Sequence, residues 1–322
     1  MRLITHQKGL SLVELMIGVL LSSMLLLGVM QVFQSNTSTS RTQTAFSRIQ
    51  ESGRFAVDML SKEIRAADFW GCAPGKDSIG NSQTGFLASV GADGIQGLND
   101  VITGAKVGGM DVATGSDVLI IGSSVDACAG AGRMLDPANP LLPEVSENCP
   151  VEAGDVVLIA NCRAGDVIAI SGVTGALGDG NRVISHDAVL QESYGADSKI
   201  LKPYQRTYFI AEGAAGSNSL FMRDENDNTQ ELVPGIEDMQ VSYGRDTSDD
   251  GIVDIWQVAE SNLDNMAQVT AVKLQLLVTS DEPAGVNTQT ITELDGTETT
   301  YTDGKLRKLY VATVKVRNRG SM

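Results

Sequence analysis

The sequence predicts an α+β chain: a long N-terminal α-helix with an apolar first half, packed on a β-rich, mainly antiparallel globular head. Three observations carry that expectation. From Leu15 to Phe33 nearly every residue is Leu, Met, Ile, Val or Gly, and no charge stands between Glu14 and Arg41. From Ala45 to Ala67 apolar residues recur at helical spacing among charges. From Asp68 onward, short apolar runs alternate with clusters of Gly, Asn and Asp, as strands alternate with turns.

Composition narrows the class further. With 42% hydrophobic and 20% charged residues, the 322-residue chain is neither disordered nor a polytopic membrane protein. Its 40 acids against 24 bases give a net charge of -16, which opposes nucleic-acid binding. The 34 glycines suit a loop-rich β body. Only two histidines occur, His6 and His186, so histidine chemistry has few candidates.

The first segment, residues 1–9, is short and polar, with Arg2 and Lys8 as its charges. The apolar run that follows, Leu15–Phe33, would span about 28 Å as a helix, close to the ~30 Å hydrocarbon core of a bilayer. Basic residues precede it, so Met1 belongs in the cytoplasm and the head outside. A cleaved secretory signal would have a shorter run ending in small residues, not in Val29–Phe33. A lipoprotein signal would place a cysteine just after the run, and the first is Cys72. A plain single-span anchor accounts for the run but not for Glu14, an acid whose burial in lipid is costly without a partner.

The second half of the helix shows an apolar stripe of Phe46, Ile49, Ala56, Met59, Leu60 and Ile64, the signature of packing on a head. One helix over 10–67 is therefore expected, with room for a bend near Ser35–Ser40. The head, 68–322, contains strand candidates at Asp117–Gly122, Asp155–Asn161, Val167–Gly172, Arg206–Ala211, Ser219–Arg223, Met239–Tyr243, Val269–Thr279 and Lys308–Arg317. In the last, Tyr310, Ala312, Val314 and Val316 face inward by alternation. The Thr-rich stretch Val286–Asp303 reads as an exposed loop or hairpin tip.

Cys72, Cys128, Cys149 and Cys162 all fall outside the cytoplasm, where an even count favours two disulfides. Three pairings exist. Cys128–Cys149, closing a proline-rich loop, with Cys72–Cys162 is the preferred one. A four-cysteine zinc site is the alternative, but these gaps are far wider than zinc pairs use. The segment from Asp246 to Asp254 places oxygen ligands at Asp246, Ser248, Asp250 and Asp254, with Gly251 at the sharp turn and the Ile252 carbonyl as a further ligand. That follows a calcium loop until Gln257 replaces the bidentate Glu. An acidic β-turn explains the same residues. Calcium is thus the one cofactor the sequence suggests.

Enzyme motifs are missing. No G-x-S-x-G occurs, and Gly71–Asp77 is one residue short of a P-loop and lacks the hydroxyl after Lys76. His186 stands beside Asp187 with no nucleophile placed near it. The chain is not expected to be an enzyme.

The pattern Lys8-Gly9-Leu10-Ser11-Leu12-Val13-Glu14, leading into the apolar run, resembles the class III signal of type IV prepilins. The resemblance implies cleavage between Gly9 and Leu10 by a prepilin peptidase, N-methylation of Leu10, and a Glu14 that registers one subunit against another. Leu10 stands where that family usually has Phe. Within the head, Asp68-Phe69-Trp70-Gly71-Cys72, Gly154–Cys162 and Glu231–Gly244 resemble the PilW-type minor pilins of type IV pili. That resemblance implies a low-abundance subunit, first in the inner membrane and then in the pilus at the cell surface. It would prime assembly at the inner membrane with other minor pilins and the major pilin, and sit at the tip. It also implies recruitment of a large calcium-binding tip adhesin. Two alternatives share the leader or the topology: a J-type pseudopilin of type II secretion, and a membrane-tethered calcium- or ligand-binding module.

Overall fold

The computed structural model describes residues 12–74, 78–84, 94–259, 266–294 and 296–319. Its helix α1 (Leu12–Ala66) runs 55 residues without interruption, about 82 Å at 1.5 Å per residue. Helical structure continues through Ser35–Ser40. There the hydroxyls of Thr37, Thr39 and Thr44 donate to carbonyls four residues back, so the polar side chains fold onto the helix. The leader, with Gly9 and Leu10, lies outside the described residues.

The principal strands of the head are β1 (Val118–Asp126), β2 (Val156–Ala160), β3 (Gly165–Ala176), β4 (Asp179–His186), β5 (Lys199–Glu212) and β6 (Asn218–Arg223). They continue with β7 (Thr229–Pro234), β8 (Ile236–Arg245), β9 (Ile255–Val258), β10 (Val269–Thr279) and β11 (Arg307–Lys315). One sheet has four antiparallel strands in the order β9-β8-β10-β11. The other has eleven among the described residues, with β7-β6-β5-β2-β3-β4 as its main run and β1 paired to β5. Every pairing in it is antiparallel except Ile79–Asn81, which lies parallel to β3. The Thr-rich stretch forms the hairpin Gln289–Thr292/Glu298–Tyr301.

Strand β10 is central in the small sheet, and its near-continuous apolar sequence matches cover on both faces. Val272, Leu274, Leu276 and Val278 share one core with Ile49, Ala56, Leu60 and Ile64 of α1. The predicted stripe thus meets its partner, except that Phe46 is exposed, with the Lys308 ammonium 5.9 Å from its ring centroid. Val314 and Val316 are buried, as the alternation of β11 required. The helix and this sheet approach closely because residue 53 is glycine. A Cβ there would stand 2.3 Å from the Tyr310 ring, whose hydroxyl donates to the Ile49 carbonyl at 3.2 Å.

Two devices join the sheets. Gly235, at φ +78°, lets the chain leave β7 in the large sheet and enter β8 in the small one, with the Thr279 carbonyl 2.9 Å from where a side chain would begin. At the seam, Asp117 is buried and accepts the amides of Asp100 at 2.9 Å and Val241 at 2.7 Å. Burial outweighs those bonds and pushes its carboxyl up from 3.8 to about 6.

The folded state therefore holds the Asp117 proton more tightly than the unfolded chain does. Its stabilising contribution is full below pH 4 and fades as pH rises through 6, a span of about 3 kcal/mol. Asp117→Asn should flatten the pH dependence of the melting temperature across that window, measured by calorimetry. Gly53→Leu should lower stability by about 1–3 kcal/mol through overpacking against Tyr310, read from chemical denaturation.

Candidate functional site

Two parts of α1 have opposite surroundings. Residues 12–33 are exposed on every side, while Ile49, Gly53, Ala56, Leu60, Ser61 and Ile64 are buried in the head. Leu12–Ala66 is a helix long and apolar enough to cross a membrane, and its apolar window has no buried residue. Glu14 sits in its first described turn. The exposed rod is a surface with nothing of its own head to cover it.

The opposite end of α1 is fastened from two parts of the chain. The Ala66 carbonyl accepts the Ser123 hydroxyl at 2.6 Å, and the Ala67 carbonyl accepts the Asn318 amide at 2.8 Å. The Arg65 carbonyl accepts the Arg317 N–H at 3.3 Å. Carbonyls that a helix terminus leaves open are thereby satisfied. Asp68 then takes a left-handed conformation, φ 61°, and reverses the chain. Its carboxylate accepts the Trp70 indole N–H at 2.7 Å and the Gly94 amide at 3.0 Å, and pairs with buried Arg319. Arg319 also donates to the carbonyls of Met266 and Val269. Asp68–Cys72, singled out in the sequence, is this junction. Its partners Ser123, Asn318 and Arg319 carry no signal of their own, whereas an isolated Gly53 inside a helical pattern does.

Farther along α1, Glu63 pairs with Arg206 of β5 at 2.6 Å, tying the helix to the large sheet. Nearer the rod, the loop after β10 touches the helix. Thr42 donates to the Ala284 carbonyl at 2.6 Å, and Arg48 pairs with Asp281 at 3.3 Å.

Cys72 is bonded to Cys162 and Cys128 to Cys149, the preferred pairing. The first bond pins the junction to the end of β2. The second closes the rim of a separate apolar cluster containing Val145, Ile168, Ile170 and Ile184.

The loop proposed for calcium is the connection between β8 and β9, and its donors turn inward. Asp246 accepts the amides of Asp250 at 3.2 Å and Gly251 at 2.6 Å, with the Ser248 hydroxyl at 3.4 Å. Asp254 accepts the Thr247 hydroxyl at 2.7 Å and amide at 2.8 Å, bonds that hold its carboxyl below the ordinary range. Asp250 accepts the Ile252 amide at 2.9 Å. Gln257, at the position of the missing Glu, accepts from Arg245 at 3.1 Å. Among the described residues, no three His, Cys, Asp or Glu gather to hold a metal ion. Asp246, Ser248, Asp250, Ile252 and Asp254 as arranged form a hydrogen-bonded acidic turn.

A membrane rod joined to a disulfide-bonded β head is the architecture of a pilin-like subunit. Residues 4–30 match the prokaryotic N-terminal methylation motif, and residues 207–318 match the family model of type IV pilus-assembly protein W. The two matches support a PilW-type pilin. The second covers the end of β5 through β11, including the whole small sheet on which α1 packs. No curated protein and no solved structure matches the chain. The methylation signal and the apolar helix support anchoring in the inner membrane, with later assembly into a pilus. Type IV pilus assembly in turn implies contact with other pilus components.

In the loop-entropy picture the bridge spanning 90 residues contributes about 4–5 kcal/mol and the one spanning 21 about 3. Cys72→Ser with Cys162→Ser should therefore lower denaturant stability more than Cys128→Ser with Cys149→Ser.

Proposed function

We propose that the protein is a minor pilin that joins other minor pilins, primes type IV pilus assembly at the inner membrane and occupies the pilus tip. The observation that carries this reading is the division of α1. Its apolar end is exposed over Leu12–Phe33 while its other end is built into the head, so the rod can stack against rods of other subunits. In an apolar bundle, the Glu14 carboxylate of one subunit neutralises the cationic Leu10 terminus that cleavage creates on another. The breadth of the head supports a tip position. An eleven-stranded sheet with its own second core adds bulk beyond the four strands that hold the helix.

Gly9→Val should leave an uncleaved precursor, seen as the intact leader in mass spectra of the membrane fraction. Glu14→Ala should be cleaved normally yet be depleted at least tenfold from sheared surface fibres. Deletion of the chain should abolish most surface pili and twitching and leave protein secretion unchanged. Intact pili with lost secretion would instead identify a type II secretion pseudopilin.

A further inference from the structure

We propose that the cleft where α1 leaves the bilayer binds one membrane phospholipid, with the lipid phosphodiester held on the Arg41 guanidinium. The cleft measures about 410 Å³ and lies between α1 and the Pro283–Gly285 loop. Phe33, the last residue of the apolar run, lines its membrane-side end, with Gln34, Thr37 and Ser38 following along the helix. Among the described residues that line it, Arg41 is the only charged one. Ala284 is buried here by its contact with the helix, and Gly285 comes within 3.3 Å of the Ser38 hydroxyl, measured from where its side chain would begin. Along the helix the cleft therefore presents an apolar ring, then hydroxyl and amide groups, then one cation. That is the order of groups along a phospholipid from acyl chain to phosphate.

Depth supports the same ligand. Arg41 lies eight residues past Phe33, about 12 Å up the helix axis. Helical side chains lean toward the N-terminus, which here is the membrane side, and arginine stems reach back to an interface. The guanidinium thus falls within the headgroup layer, roughly 5–8 Å outside the hydrocarbon. Arg41 has no ion-pair or hydrogen-bond partner among the described residues, whereas Arg48, two turns higher, is engaged with Asp281. A phosphate would accept bidentate, charge-assisted bonds from it. The loop after β10 would then set the height of the head on the membrane. The inference rests on inner-membrane anchoring and not on the subunit's place in a pilus.

Native mass spectrometry of the full chain in detergent, titrated with phosphatidylglycerol, tests it. The unmodified chain should retain one lipid, Arg41→Gln should bind at least tenfold more weakly, and Arg48→Gln should bind as the unmodified chain does. Arg41→Lys should keep most of the affinity. Unchanged helical content and melting temperature are expected for Arg41→Gln, so a loss of lipid reports the cleft and not the fold. Equal retention by Arg41→Gln, or equal binding of uncharged dioleoylglycerol, would overturn the proposal. So would displacement of the lipid by equimolar soluble glycerol phosphate, because the site would then serve a free anion.

Discussion

Everything in this molecule depends on one helix being held at one end and left bare at the other. The held end faces a hard constraint, because a 55-residue rod exerts leverage on whatever anchors it. The chain meets it with shape and polar chemistry together. Gly53 lets the Tyr310 ring lie against the helix backbone, and the small sheet supplies Val272, Leu274, Leu276 and Val278 beneath the stripe. At the terminus, carbonyls that the helix end leaves open receive Ser123, Arg317 and Asn318. Arg319 and Asp68 close the arrangement, and a disulfide follows four residues later.

The bare end is the converse. Its side chains are apolar on every face, which in water would be costly and in lipid or in a bundle of like helices is favourable. Between the two regimes lies a polar stretch, Gln34–Thr44, that belongs to neither. It is helical throughout, with threonine hydroxyls folded onto the backbone and the loop after β10 laid against it. The helix therefore passes from lipid to head without a break, and the position of the head above the membrane follows from where that loop meets the rod.

The large sheet has a different role. It contributes Leu119, Ile121, Tyr208, Ile210, Leu220 and Val233 to the core shared with the helix, then continues outward to a second cluster around Cys128–Cys149. Its connection to the small sheet runs through Gly235 and the buried carboxylate of Asp117, so the two layers are joined by backbone geometry and by hydrogen bonds as well as by apolar contact. The family match ends short of most of this sheet, beginning only within β5. The match thus covers the small sheet on which the helix packs, while β1 to β4 of the large sheet lie beyond it.

Much of this was legible in the order of residues. The apolar run and the amphipathic stripe follow from hydropathy and spacing, because a helix in lipid and a helix on a sheet demand different periodicities; the leader and Glu14 were legible through their resemblance to prepilins. The alternation of β11 and the unbroken apolar sequence of β10 likewise announce one covered face and two. The cysteine pairing was a preference in the sequence that the fold realised. Other features needed the tertiary structure. Whether Asp246–Asp254 gathers its oxygens around an ion or spends them on its own amides depends on backbone torsions, and glycine and aspartate suit both outcomes. Ser123, Asn318 and Arg319 converge on the helix end from distant segments, and no local pattern marks such a meeting. Local periodicity dictates which face of an element is buried. Which donor finds which acceptor across the fold is settled only when the whole chain has packed.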